Sequence, residues 1–213
     1  MTILDTPQLL ALVGAIGWGS GVRLYLVVLL TGLAGHFGWF ALPGELHVLS
    51  HPAVLIASGF MAFIEFFADK IPGLDSLWDM VHTVIRIPAG AALAASVFGG
   101  DHAVMALVGG IFAATAHAAK ATARAAINTS PEPFSNVGVS LIKDAMVPTG
   151  LWLAVAHPLG FALALVVVLM LSTWLIGSSW HFLRRLVNRV TRIFSGKPDP
   201  GVVSAFRFKK NRP

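Results

Sequence analysis

Hydrophobic residues along the chain form long runs separated by short polar junctions, several of which contain proline or glycine. A helix that crosses a bilayer needs about 20 mostly apolar residues. Seven stretches approach this length, at residues 8–22, 24–42, 53–69, 80–99, 103–123, 139–156 and 159–181. The pattern predicts an all-α fold, a polytopic transmembrane helix bundle with six or seven membrane segments.

The first of these stretches decides between six and seven crossings. It is short, and its glycines are Gly14, Gly17, Gly19 and Gly21. Small residues let transmembrane helices pack closely, whereas a broken segment is tolerated only where protein or a water-filled cavity covers it. The sequence leaves open both a full crossing and a re-entrant segment.

Composition supports a membrane location and removes several other classes. Hydrophobic residues make up 56% of the 213 residues and charged residues 12%, and the mean hydropathy is +0.77, far from the usual soluble domain. The chain has no cysteine, which excludes disulfides and thiolate metal sites. Nine of the fifteen Lys and Arg residues lie from Arg184 onward. The net charge of +5 therefore comes from the short C-terminal tail that follows the last hydrophobic stretch, and we expect no nucleic-acid partner.

The basic residues also predict the orientation of the helices. Junctions 43–52, 100–102 and 157–158 contain no Lys or Arg, whereas the intervening junctions do. Because short cytoplasmic loops are enriched in Lys and Arg, these three junctions are expected outside and the C-terminus in the cytoplasm. With seven crossings the N-terminus is outside, and with six it is inside.

The chain divides into three parts by composition. Residues 1–182 form the predicted transmembrane helical domain. Residues 183–195 form a predicted basic amphipathic interfacial helix, which we expect to lie on anionic lipid head groups. Its basic residues are Arg184, Arg185, Arg189 and Arg192. Residues 196–213, rich in Lys, Arg and Pro, are predicted to be a disordered cytoplasmic tail.

Two short repeats are compatible with an internal duplication. Ala-Leu-Val-Gly occurs at 11–14 and at 106–109, and His-Pro occurs at 51–52 and at 157–158. The two spacings differ, so a duplication needs insertions. It would give two three-helix halves and a linker helix, an arrangement of parallel repeats that some small transporters use.

Charged residues follow one face of the fourth predicted helix and its approach. They recur at positions i, i+4, i+7 and i+11, as Asp75, Asp79, His82 and Arg86. A period of 3.6 residues places them within about 60° of each other. Glu65, Asp69 and Lys70 lie just before a Pro-Gly break, and the two acids share a face. Such a stripe cannot face lipid, so it faces the protein interior or a water-filled cavity.

A second stripe follows the fifth predicted helix, and a third cluster opens the sixth. The second stripe is His117, Lys120, Arg124 and Asn128, and the third cluster contains Ser140, Lys143 and Asp144. Outside the tail, the charges at membrane depth or at its inner edge are six basic residues, Arg23, Lys70, Arg86, Lys120, Arg124 and Lys143, and six acidic ones, Glu65, Asp69, Asp75, Asp79, Glu132 and Asp144. These equal numbers predict ion pairing. Pairing alone would be structural, but a bundle that needs only stability would use apolar packing, which favours a functional role.

These residues also resemble a known family. The run Glu-Phe-Phe-Ala-Asp-Lys-Ile-Pro at 65–72, followed by Asp75 and Asp79, is similar to the motif of an uncharacterised bacterial integral-membrane family, a domain of unknown function. The resemblance continues through Lys120, Arg124 and Asn128 to Ser140 and Asp144, and it covers nearly the whole chain before the tail. It implies a multi-pass protein of the bacterial inner membrane and supplies no activity.

One run of residues resembles an enzyme motif. Asp75-Ser76-Leu77-Trp78-Asp79 looks like the closing Asp-x3-Asp of the CDP-alcohol phosphotransferases. That family needs Gly where Ile71 stands, and an earlier Asp-x2-Asp-Gly that the chain lacks. The match fails. A different metal-dependent enzyme acting on a lipid phosphate stays open, with metal candidates Asp69, Asp75 and Asp79 as oxygen ligands and Lys120 and Arg124 holding phosphate.

The preferred hypothesis is a small transporter or permease for an ion or small charged solute, with a polar cavity lined by the two charged faces. Asp75, Asp79 and His82 would bind a cation or coupling protons, and the basic residues of the stripes would hold an anionic group. We expect no enzyme activity and no cofactor, although the enzyme alternative would need a divalent cation. A non-transporting scaffold is the third hypothesis, and the sequence leaves a homo-oligomer open.

Overall fold

The computed structural model of the protein describes residues 3–71, 73–99, 103–127 and 133–194. The regular elements in these ranges are α1 (Thr6–His36), a 3₁₀ helix (Gly44–Ser50), α2 (Pro52–Ala68), α3 (Leu74–Ser96), α4 (Ala103–Ile127), α5 (Pro133–Ala156) and α6 (Pro158–Phe194). The predicted all-α fold is confirmed for this part of the chain. Three helices begin at proline, which lacks the backbone N–H that a first turn leaves unpaired.

α1 folds back on itself at Arg23. The backbone of this residue has φ −148° and ψ 83°, outside the helical range, although both flanks are helical. A Cβ placed on Gly19 would lie 2.8 Å from Val27 Cγ2, whereas residues eight apart in a straight helix are separated by about 12 Å along its axis. Residues 6–22 and 24–36 therefore form the two arms of a helical hairpin with Arg23 at its tip, and the second arm ends before the predicted residue 42.

The hairpin is the central element of the bundle, since α1 packs against α2, α3, α4 and α5. A Cβ on Gly21 would lie 2.2 Å from the Ala113 carbonyl oxygen, and one on Gly17 would lie 2.8 Å from Gly109 Cα, both on α4. A Cβ on Gly90 of α3 would lie 2.7 Å from Ala113 Cβ. Small residues thus let α1, α3 and α4 approach closely.

Four of the described helices are long and apolar enough to cross a membrane: Thr6–His36, Ala103–Arg124, Val137–Ala156 and Pro158–Ser179. A fifth arises if the 3₁₀ helix and α2 are counted together across a bend of 75°. α3 is not in this set, and it begins at Leu74, before the predicted start at residue 80. The structure agrees with a membrane helix bundle, and the number of crossings, six or seven, stays a prediction.

α3 carries its charges inward and its apolar side chains outward. Asp75 and Arg86 are fully buried, whereas Val84 is 75% exposed. Other helices also expose large apolar side chains, among them Ile56, Phe60, Leu163 and Trp174. An apolar exterior of this extent suits contact with lipid rather than water.

The structure contains two compact units, Met1–Leu175 and Ile176–Pro213. In the second, α6 continues to Phe194, so the predicted interfacial helix 183–195 is helical over its described length. The side chains of Arg184, Arg185, Arg189 and Arg192 and the predicted tail 196–213 lie outside the described residues. The internal duplication stays a prediction.

Candidate functional site: a buried ion-pair network

Charged side chains from five helices meet inside the first unit. α2 and its C-terminal end supply three of them, α3 and α4 supply the two predicted stripes, and α1 and α5 supply one each. The residues joined by ion pairs, called the ion network below, are the acids Glu65, Asp69, Asp75, Asp79 and Asp144 and the bases Arg23, Lys70, Arg86, Lys120 and Arg124.

Burial of the ion network is nearly complete. Eight of its ten members are at most 4% exposed. The side chains of Lys70 and Asp144 are 19% and 18% exposed and mark its edge. Buried ions are stable only when they are paired and hydrogen-bonded, so the geometry of each pair matters.

Arg124 joins three carboxylates. Its Nε lies 2.9 Å from Asp75 Oδ2, and its Nη2 lies 3.0 Å from Asp69 Oδ1. Its Nη1 donates to Asp79, and also to the backbone carbonyl of Asp75 at 3.1 Å. A guanidinium suits this position because its five donors point in fixed directions within one plane. Arg124 therefore ties α4 to α3 and to the end of α2.

Lys120, one helical turn earlier on α4, shares two of these carboxylates. Its Nζ lies 3.3 Å from Asp69 Oδ2, 3.0 Å from Asp79 Oδ1 and 4.0 Å from Glu65 Oε1. It also donates to the backbone carbonyl of Val22 at 3.0 Å. This bond connects the charges to the broken backbone at the tip of the α1 hairpin.

Arg86 completes the centre of the ion network. Its Nη1 lies 2.5 Å from Asp79 Oδ1, and its Nη2 donates to Glu65 Oε1. Asp79 therefore contacts three cations, Arg86, Lys120 and Arg124. The two predicted stripes are brought together around this single carboxylate.

Arg23 extends the ion network from the hairpin tip to α5. Its Nη2 lies 3.1 Å from Asp69 Oδ2, pairs with Asp144 Oδ1 and donates to Ser140 Oγ at 3.3 Å. Lys70 Nζ lies 3.3 Å from Asp144 Oδ2. From the sequence, Arg23 was expected among the charges of the bundle but not among the site residues. The sequence feature that could have identified it is a single arginine within a glycine-rich apolar run. A charge in that environment needs a partner, which indicates an ion pair.

The two predicted histidines lie beside the ion network and outside its ion pairs. His82 Nε2 is 3.1 Å from Tyr25 Oη. His117 Nε2 is 2.8 Å from Thr83 Oγ1, and its Nδ1 is 3.5 Å from Arg86 Nη1. Tyr25 and Thr83 were not predicted, because single hydroxyl residues among apolar ones add nothing to a charge periodicity.

Within the ion network, five carboxylates face five cations, so the predicted pairing is present among the described residues. Asp69, like Asp79, contacts three cations, here Arg23, Lys120 and Arg124. Lys143 lies on α5 next to Asp144 and makes no ion pair with the described residues. The predicted residues Asn128 and Glu132, and Pro72, lie outside the described part of the chain.

Four cavities lined by described residues lie away from the ion network. Their volumes are about 330 to about 530 Å³, and their linings contain none of the ion-network residues. One of about 500 Å³ lies between the α1 arms and α5, lined mostly by apolar side chains such as Leu12, Ala34 and Trp152. The two charged faces meet in direct ion pairs, and the polar cavity between them stays a prediction.

No group of three or more His, Asp or Glu residues in the described part of the chain is placed to hold a metal ion. The three predicted oxygen ligands, Asp69, Asp75 and Asp79, surround the guanidinium of Arg124 instead. This arrangement gives the metal-dependent enzyme hypothesis no geometric support.

Comparison with other proteins identifies the chain by family alone. Neither the search of curated proteins nor the search of solved structures found a match. A family model matches residues 10–178, which include α2 to α5, most of α1, the first part of α6 and all ten residues of the ion network. The chain therefore belongs to the family described as Domain of unknown function (DUF4126).

Proposed function

We propose that this protein is a small membrane permease for an ion or small charged solute, and that the ion network is its closed gate. The observation that carries the proposal is one paired cluster of ten charged groups from five helices, eight of them buried. Intramembrane ionisable residues that face a bundle interior most often mark solute pathways or proton relays.

Stability alone is a poor reason for such a cluster. Each buried ion loses several kcal/mol of hydration, and exchanging a buried pair for apolar residues is often neutral or stabilising by about 1–4 kcal/mol. A permease supplies a better reason, because charges that pair with one another in the closed state can exchange partners with a charged solute in the open state. The pairing then keeps the empty gate neutral and dry.

The broken helix at Arg23 supports the same function. Transporters bind solutes and ions where helices are interrupted at membrane depth, since interruption frees backbone groups for binding. Here Lys120 already donates to the Val22 carbonyl at 3.0 Å. At Gly17, Gly21 and Gly90 the nearest atoms of the facing helices belong to backbone or to small Ala and Ser side chains, so α1 could shift against α3 and α4 there without repacking large residues.

We further propose seven crossings, two by the arms of the hairpin and one by each of α2 to α6. The N-terminus would then be outside, and the C-terminus would lie on the cytoplasmic side of a bacterial inner membrane. Support comes from the basic residues at the hairpin tip and at the α2–α3 junction, Arg23 and Lys70, since cytoplasmic ends are enriched in Lys and Arg. The ion network would lie toward the cytoplasm.

Flux measurements test the permease directly. Purified protein in liposomes would be given gradients of sodium, potassium, chloride, phosphate and small carboxylates, alone and with a proton gradient. Asp79→Asn and Arg124→Gln remove single network charges, and Glu45→Gln, in the exposed 3₁₀ helix, is the matched control. We expect flux of one solute class in wild type and control, and its loss in both network variants when rates are scaled to folded protein. Absence of flux throughout the panel would contradict the proposal.

The completeness of the pairing favours a second function, a non-transporting scaffold or assembly factor. A scaffold would use the ion network as a lock that sets which helices meet. In that case Asp79→Asn and Arg124→Gln would lower thermal stability, and the folded fraction of each variant would keep its cellular activity. A permease predicts loss of activity in the folded fraction as well.

A further inference from the structure

His117 is held in one hydrogen-bonding state by its neighbours. Thr83 Oγ1 donates its single hydrogen to the Asp79 carbonyl oxygen at 2.8 Å. The same Oγ1 lies 2.8 Å from His117 Nε2, so it must accept from that nitrogen. Nε2 therefore carries a hydrogen, and the tautomer follows from the partners around the ring.

The other ring nitrogen faces a cation. Nδ1 of His117 lies 3.5 Å from Nη1 of Arg86, and a guanidinium can only donate. Nδ1 is consequently an unprotonated acceptor, and the imidazole is neutral. The same Nη1 lies 2.5 Å from Asp79 Oδ1, so His117 touches the atom that holds the centre of the ion network.

A proton on Nδ1 would reverse this contact. The acceptor would become a positively charged donor directed at the Arg86 guanidinium, and like charges this close repel. Arg86 would have to withdraw from His117, and with it from Asp79 and Glu65. The carbonyl of Gly21 on α1 also accepts a hydrogen bond from the ring, which stabilises the protonated form.

The charged groups that surround His117 determine how a positive charge on its ring could be neutralised. α3 presents Arg86 and Asp79, and α4 itself presents Lys120. Glu65 of α2 reaches the site through its pairs with Arg86 and Lys120. Because Asp79 and Glu65 already pair with cations, a charge added at His117 disturbs these pairs.

We infer that His117 is a proton-binding site that opens the ion network, so that the proton is the coupling ion of the permease. This inference rests on the proposed function for its meaning in transport. Proton binding and release of Arg86 are then linked reciprocally: protonation favours the open gate, and an open gate favours protonation. Deprotonation restores the acceptor and lets Arg86 return.

A single-cysteine reporter tests the opening, and the chain's lack of cysteine makes every introduced thiol unique. Ser140→Cys places a thiol at a fully buried position beside Arg23. A water-soluble thiosulfonate would label it in detergent micelles at about pH 8 and about pH 5, either side of the ordinary histidine pKa of about 6.5. Each rate is divided by that of Glu45→Cys in the exposed 3₁₀ helix, which removes the effect of pH on the reagent.

We expect the normalised labelling of Ser140→Cys to be about tenfold faster at the lower pH, within the usual range for coupled sites. Adding His117→Gln should abolish the increase, because glutamine can donate to Thr83 and accept from Arg86 without titrating. His157→Gln, the same change at an exposed position, should leave the increase intact. An equal rate at both pH values, or an increase that survives His117→Gln, would overturn the inference.

A second measurement covers the case in which His117→Gln fails to fold. Nitrogen NMR of wild-type protein labelled in histidine and arginine should show one histidine next to a guanidinium that is neutral at about pH 8 and becomes protonated in step with the thiol labelling. A histidine near Arg86 that stays neutral while Ser140→Cys becomes reactive would overturn the inference. Solute flux that does not depend on pH would contradict proton coupling but leave the permease proposal standing. Opening of the ion network at low pH without any solute flux would contradict the permease proposal but leave the proton-binding site standing.

Discussion

Asp75 depends on Arg124 more than any other acid of the ion network does. Among the described residues, Arg124 is its ion-pair partner, with Nε 2.9 Å from Oδ2. Asp69 keeps Arg23 and Lys120 if Arg124 is removed, and Asp79 keeps Lys120 and a second arginine. Arg124→Gln should therefore strand one fully buried carboxylate, at Asp75.

Leaving a buried ion without its partner costs about 3–5 kcal/mol, and this is the expected loss in the free energy of unfolding for Arg124→Gln. Asp75→Asn in the same chain removes the stranded charge while its Oδ1 can still accept from the backbone N–H groups of Gly73 and Ser76. The double variant should recover about half of the loss, since neighbours in one network are not additive.

Unfolding by a denaturing detergent, followed by circular dichroism in mild micelles, measures all four members of this cycle. Glu45→Gln, an exposed change of charge, should stay within about 0.5 kcal/mol of wild type. A loss below about 1 kcal/mol for Arg124→Gln, or simple additivity with Asp75→Asn, would refute the reasoning from buried pairing.

Two further predictions concern the close packing of α1 against α4 and the buried charge of Asp69. Gly21→Ala would put a Cβ 2.2 Å from the Ala113 carbonyl oxygen and should cost about 1–3 kcal/mol as an overpacked contact. Gly138→Ala, with open space around it, should be neutral or stabilising by up to about 1 kcal/mol, and detergent unfolding compares the two. Asp69 pairs with Arg23, Lys120 and Arg124, so removing its charge leaves buried cations with fewer partners. Asp69→Asn should lower the free energy of unfolding by about 3–5 kcal/mol, and a loss below about 1 kcal/mol would contradict this.

The inward faces of α3 and α4 could be predicted because the physics behind them is local. Asp79 and Arg86 recur at helical spacing among apolar neighbours, and lipid cannot accept such a face. The helix must turn it inward whatever the rest of the fold does. The exposed Val84 and the buried Arg86 of α3 bear this out.

The partners of these charges could not be predicted, because pairing depends on how helices distant in sequence approach one another. Equal numbers of acids and bases indicate that pairs form, but not that Arg124 lies among three aspartates. The role of Arg23 was missed for a related reason. Arg23 lies at a junction between two apolar runs, and such a position is usually a loop at the end of a helix. Arg23 is buried because the hairpin lies at the centre of the bundle, which the sequence did not predict.

The separation of function from stability is the most direct test of a gate made of ion pairs. Arg124→Gln/Asp75→Asn would be compared with wild type and with Arg124→Gln for solute flux in liposomes, scaled to folded protein. We predict that the double variant regains stability and stays inactive. The fold needs only equal numbers of buried acids and bases, whereas the gate needs the charges of Asp75 and Arg124 themselves. Flux that returns together with stability, or no flux of any solute class in wild-type protein, would contradict the account.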